Sequence, residues 1–174
     1  MKTGFIVSVM SAAVIGSGGH SGGAGQLTVF SDSFKEGEYL SREYTCEGDD
    51  LSPDIQWKFS GDAESFALIC EDPDAPGGTF VHWVIYNIPG NVKQLRRGYP
   101  KISGKEGTSQ GMTDFGKTGY NGPCPPKGKA HRYIFTVYAL DTKISEINLI
   151  SRTLKMRMKG HILGSGDITG LFRR

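Results

Sequence analysis

Cysteine is scarce. Only Cys46, Cys70 and Cys124 occur, and no two of them form a Cys-x-x-Cys pair. A disulfide-dense scaffold and a zinc ribbon are therefore excluded. Charge of one sign is not in excess either: 20 Lys and Arg stand against 18 Asp and Glu, a net charge of +2, spread along the chain. No basic footprint for nucleic acid and no polybasic membrane patch follow from that balance. No apolar run reaches the roughly 20 residues that a membrane-crossing helix needs. What the chain has in plenty is turn residues. Its 25 Gly and 8 Pro are too many for a helical bundle and point to a mostly β protein. With 37% hydrophobic residues it can fill a core, and 174 residues suit one domain.

The N-terminus reads as a processing signal. Lys2 precedes a charge-free stretch of apolar or small residues from Phe5 to Ile15, and a Gly/Ser run then extends to Gly25. That stretch has the length of a secretory signal core, about 7–15 residues. Residues 1–25 are expected to be a signal peptide and linker, and 26–174 a single domain. Export to a periplasm or the extracellular space follows, with a buried first strand in a cytoplasmic protein as the alternative.

Beyond Gln26 the periodicity is that of strands. Leu27–Phe30 is a short candidate. Ile55, Trp57 and Phe59 alternate with Gln56 and Lys58, which predicts a half-buried strand. Phe66–Cys70, Phe80–Ile88 and Ile134–Leu140 are apolar on both faces and belong in the middle of a covered sheet. In the second of these, strict alternation puts Val81, Trp83 and Ile85 on one face and Val84, Tyr86 and Ile88 on the other. One helix is expected near the C-terminus, where Ile150, Leu154 and Met158 recur at helical spacing, with Ser151 capping its start and Gly160 its end. A last extended segment runs from His161 to Phe172. Between Gly98 and Ala130 neither period holds. An irregular stretch of that length is usually functional, and Gly122-Pro123-Cys124-Pro125-Pro126 makes its end a stiff wall.

Two clusters carry chemistry. Asp72-Pro73-Asp74-Ala75-Pro76 leaves one buried strand, and His82 begins the next. The Gly122–Pro126 wall precedes His131-Arg132-Tyr133 at the start of another. Prolines fix the backbone, so the carboxylates are aimed. If these strands pair, Asp72, His82, His131 and Tyr133 converge at one end of the sheet. Two imidazoles and a hydroxyl would bind a phosphate-like anion, with a carboxylate orienting one ring. Two enzymatic alternatives stand beside this: Cys124 as a thiol nucleophile near His131, and Asp72, His82 and His131 as zinc ligands. The flanking prolines weigh against the first and the lack of His-x-x-x-His spacing against the second, so no catalytic residue, metal or cofactor is expected. Lys101, Lys105, Lys117, Lys127 and Lys129 form a solvated rim that would steer an anion inward.

The strings DPDAPGGTFVHWVIYNIPG (72–90) and GYNGPCPPKGKAHRYIFTVYALD (119–141) resemble the phosphatidylethanolamine-binding protein family, which includes the Raf kinase inhibitor-like proteins. The segments at 41–57 and 158–174 are similar to those of its bacterial and archaeal branch. The resemblance implies a β-sandwich of Greek-key type with a C-terminal helix. It also implies one pocket that takes phosphate, acetate or a phosphoethanolamine headgroup. Its residues carry over to Asp72, Pro76, His82, Pro123, His131 and Tyr133. Asp74 and Arg132 fall to rim or scaffold. His161, outside these motifs and just past the helix, reads as a partner for the helix dipole, with a place in the rim, closing the site from the C-terminal side, as the alternative. Ala75-Pro76 is the expected cis bond. The family also implies an alternative role, regulation of a kinase or protease partner. Two departures, Asp54 in place of a usual Pro and Gly77-Gly78 ahead of His82, imply a smaller and more open rim. The resemblance places Cys46 and Cys124 at the same end of the sheet. An oxidising compartment would let them pair, while three free thiols remain the alternative.

Overall fold

Alternating apolar residues build two antiparallel sheets in the computed structural model, which describes residues 25–174. The leader expected over residues 1–25 lies outside the described residues, apart from Gly25. The smaller sheet joins β1 (Leu27–Phe30), β2 (Ile55–Phe59) and β5 (Gln94–Leu95) in that order. The larger holds β3 (Ser65–Asp72), β4 (Phe80–Pro89), β6 (Ser109–Gln110), β7 (His131–Leu140) and β8 (Ile162–Phe172). Its order is β6-β4-β3-β7-β8. Here β7, β3, β4 and β6 follow the fourth-first-second-third order of a Greek key, with β5 an excursion to the other sheet.

The main core lies between the sheets. Ile55 and Trp57 of the small sheet meet Phe66, Trp83 and Phe135 of the large one, all fully buried. The opposite face of the large sheet buries Ile69, Val84 and Tyr86 under Leu154 and Met158 of the helix α1 (Ser151–Met158). Coverage on both faces is why β3, β4 and β7 read as continuous apolar runs.

Three expectations need correction. Val81 packs with Val84 and Tyr86, and Ile88 with Trp83 and Ile85, so both ends of β4 are flipped relative to strict alternation. The cause is two bulges. Cys70 pairs with Trp83 and Glu71 with Val81, which leaves His82 as an extra residue; a second shift falls at Asn87, whose φ is 57°. Each bulge turns the remaining residues over by one. Ser151 does not cap the helix. Ile150 occupies the N-cap position with its side chain exposed, and the Ser151 hydroxyl donates to Glu71 Oε1 at 2.9 Å. Gly160 does end the helix, at φ 86°. Finally, no described peptide bond is cis, Ala75–Pro76 included. The Gly78 N–H donates to the Ala75 carbonyl at 3.0 Å, which makes Pro76 the second residue of a β-turn. A trans proline already has the φ that this position requires.

Candidate anion pocket

Register brings the pocket together. β3 lies between β4 and β7, pairing antiparallel with both. Phe66, Leu68 and Cys70 face the inter-sheet core, and the same alternation turns Asp72 toward it at the strand's end. On β7, Tyr133, Phe135 and Val137 face the core, and His131 follows the same parity. The bulge in β4 delivers His82 from the other side. A cavity of about 180 Å³ opens there, lined by Asp72, Pro76, His82, His131 and Tyr133, with Cys124-Pro125-Pro126 as one wall.

The polar groups are held by specific bonds. Asp72 Oδ1 accepts the Asp74 N–H at 2.8 Å, and Oδ2 accepts from His131 Nδ1 at 2.7 Å. Both partners of this last pair are almost wholly buried, at 5% and 4% side-chain exposure. His82 Nδ1 donates to the Asn121 carbonyl at 2.7 Å, and the Asn121 N–H returns a bond to the His82 carbonyl at 2.9 Å. Burial pushes the His82 ring below the ordinary imidazole value; the Asn121 carbonyl and the Asp72 and Asp114 charges pull the other way without overcoming it. Tyr133 is fully buried, and among the described residues its hydroxyl has no hydrogen-bond partner of good geometry. Burial, and then the nearby Asp72 charge, push its ionisation well up, so it stays a neutral O–H.

The expected rim residues divide. Arg132 clamps Asp74 with two side-chain bonds of 2.9 Å, and its N–H adds a third at 3.0 Å; this pair braces the turn outside the cavity. The same Arg132 bonds, ahead of the small cost of burial, hold the Asp74 carboxyl well below the usual range. Pro123 is buried behind the wall, and its carbonyl accepts the Cys46 N–H at 3.1 Å. His161 lies at the far end of β7 and β8, beside Leu140, where it meets Asp141 at 2.8 Å. The length of β7 separates it from the pocket, so it closes nothing there. Cys46 and Cys124 are joined by a disulfide with Cα atoms 5.4 Å apart, and Cys70 is a buried free thiol.

Some of the lining was not foreseen. Phe80 packs tilted and Phe115 edge-on against His82, with the phenyl centroids 4.9 Å apart and each 5.3 Å from the imidazole. Phe80 had a signal, since it lies two residues before His82 on an apolar strand. Phe115 had none, because an irregular loop carries no period. Its neighbour Asp114 fixes it by exchanging bonds with the Val81 backbone, at 2.8 and 3.1 Å. Among the described residues no group of three or more His, Cys, Asp or Glu is placed to hold a metal ion.

The model of the phosphatidylethanolamine-binding protein family matches residues 30–173. The chain belongs to that family. A UPF0098 protein of Aquifex aeolicus is 44% identical over 158 residues, covering 88% of this chain and 92% of that protein. UPF0098 protein YbhB of Escherichia coli is 35% identical, covering 84% and 99%. Among solved structures, Escherichia coli YbcL, described as a new member of the mammalian family, superposes with a TM-score of 0.79 at 34% identity. That match covers 85% of this chain and 98% of YbcL. The homolog CT736 from Chlamydia trachomatis gives 0.77 at 33% identity, covering 85% and 97%.

Proposed function

We propose that the chain binds a small phosphate-bearing anion, such as inorganic phosphate or a phosphoethanolamine headgroup, in this pocket and does not turn it over. The observation that carries the reading is the buried Tyr133 hydroxyl, left without a partner among the described residues beside two imidazoles whose Nδ1 atoms are already bonded. A buried unpaired hydroxyl costs about 1–3 kcal/mol, which an oxygen of a bound anion would offset. The family's name supports a headgroup ligand. The size supports it as well: about 180 Å³ is below the roughly 300–1,000 Å³ of drug-sized pockets, so acyl chains would stay outside. Against turnover stands the disulfide, which removes Cys124 as a thiolate nucleophile. Titration calorimetry with phosphoethanolamine tests the reading. Replacing His131 with Ala should weaken binding roughly 10- to 100-fold, the worth of one charge-assisted bond. Equal affinity in variant and wild type would contradict it.

We also propose that the protein works in an oxidising compartment after export. The disulfide and the leader pattern support this together. Thiol counting on unfolded, unreduced protein from the native host should find Cys70 alone reactive, whereas three reactive thiols would contradict the proposal.

A further inference from the structure

His82 and His131 do not offer a ligand the same thing. Each commits Nδ1 to an oxygen that only accepts: the Asn121 carbonyl for His82 and the Asp72 carboxylate for His131. That places a proton on Nδ1 in both rings and leaves both Nε2 atoms free of protein partners among the described residues. A neutral ring protonated at Nδ1 has a lone pair at Nε2 and no hydrogen to give. At His131 the oxygen against Nδ1 belongs to the Asp72 carboxylate, which brings a counter-charge to that ring. His82 has backbone carbonyls in that place, of Asn121 and beside it Gly122, which contribute dipoles but no charge, and the residue is 3% exposed.

The groups facing His82 do not change this. Asp72 faces it from β3, but that carboxylate is already shared between His131 and the Asp74 N–H. Asp114 faces it from the long loop and is engaged by the Val81 N–H. Tyr133 and His131 face it from β7, the first as a neutral hydroxyl and the second as the paired ring. Phe80 and Phe115 pack against its outer side.

We propose that His82 Nε2 reads a proton carried by the ligand, accepting a hydrogen bond from a P–OH group while His131 Nε2–H and the Tyr133 hydroxyl hold the charged oxygens. This rests on the anion-pocket reading and narrows it. The preferred class is an oxyanion that keeps a hydrogen near neutral pH. Inorganic phosphate always does. A phosphomonoester, whose second ionisation lies at about pH 6, would bind with uptake of one proton. Sulfate, acetate and phosphodiesters carry none at neutral pH, so one of their oxygens would face the Nε2 lone pair. The headgroup of a bilayer phospholipid is a diester and would bind more weakly than the free monoester.

The test is calorimetry on the full protein near pH 7.5 with inorganic phosphate, phosphoethanolamine, sulfate, acetate and glycerophosphoethanolamine. Phosphate should bind roughly 10- to 100-fold more tightly than sulfate, acetate or the diester, the cost of an unmet buried acceptor. Phosphoethanolamine should show a heat that varies with the buffer's ionisation enthalpy, the sign of proton uptake. Well below the ordinary imidazole value of about 6.5, the gap between phosphate and sulfate should close as His82 itself takes a proton. His82→Gln, whose amide can donate or accept, should close the gap at every pH. Should that variant not fold, the wild-type pH series decides alone. Sulfate within about threefold of phosphate near pH 7.5, with both lost in His131→Ala, would overturn the proton-reading role and leave the anion pocket standing. Phosphate that does not bind at all would overturn both.

Discussion

Asp72 serves two structures with one carboxylate: Oδ1 closes the turn onto the Asp74 N–H, and Oδ2 orients His131. Asp72→Asn keeps the shape but removes the charge that faces His131 Nδ1. We expect folded protein with phosphoethanolamine affinity down roughly 10-fold or more, read by calorimetry. Unchanged affinity would remove Asp72 from the binding account. Two other residues contribute acid sensitivity beside the lowered Asp74 carboxyl. Burial pushes His82 below the ordinary imidazole value, so below about pH 6.5 the unfolded chain takes up a proton that the folded ring refuses. Stability therefore falls as pH drops through that value toward the lower folded one. Asp54 behaves likewise further down. Burial alone would raise its pKa, but bonds from Ser33, Gln56, the Asp32 N–H and Ser31 outweigh burial and hold it below the ordinary carboxylate value. The stability these bonds give is present at neutral pH and is lost as pH falls below about 4. Urea unfolding across pH should show wild type weakening on acidification. Asp54→Asn should flatten the lower part of the profile and His82→Gln the upper part; parallel profiles for all three proteins would contradict this assignment. Asp54 was noted in the sequence only as a departure from a usual proline. Its role of pinning residues 31–33 to β2 was not legible, because the partners lie more than 20 residues away.

The stiff wall of the pocket is an element made of loop. Its prolines, the Asn121–His82 backbone bond, the close packing of Gly122 and the Cys46–Cys124 bridge hold it without regular secondary structure. A Cβ on Gly122 would sit 2.4 Å from the Tyr44 carbonyl oxygen and 2.8 Å from Asp50 Oδ1, so Gly122→Ala must push the wall outward. The bridge closes a separation of 78 residues, which in the chain-entropy picture is worth about 4.5 kcal/mol. Replacing both cysteines with Ser should therefore lower stability by up to about that amount and weaken phosphate binding, as denaturant titration and calorimetry would show. A double variant with wild-type stability and affinity would mean that the wall stands on its prolines alone. Strand positions were legible from alternation and paired apolar faces, as β2, β3 and β7 show. The β4 bulge was not, since nothing in Val81-His82-Trp83 marks an extra residue. That bulge is nevertheless what delivers His82 to the cavity.

Across the described residues, two sheets with a helix over the outer face of the larger one leave an end of the inter-sheet core where charged and polar residues from β3, β4, β7 and the long loop meet. The motif residues Asp72, His82, His131 and Tyr133 were legible because proline-fixed turns and buried strands bracket them. Which of their nitrogens and oxygens are already engaged by the protein was not, because that depends on the folded backbone. The export proposal also belongs to this scale: N-terminal sequencing of protein from the native host should begin within about residues 20–26, and an intact Met1 on the mature protein would contradict it. The most direct test of the account is a crystal structure of the protein soaked in inorganic phosphate. It should show phosphorus density in the cavity, with oxygens about 2.7–3.2 Å from His82 Nε2, His131 Nε2 and the Tyr133 hydroxyl. Water alone in that cavity at a phosphate concentration that saturates calorimetric binding, or phosphate held only by the lysines of the rim, would contradict it.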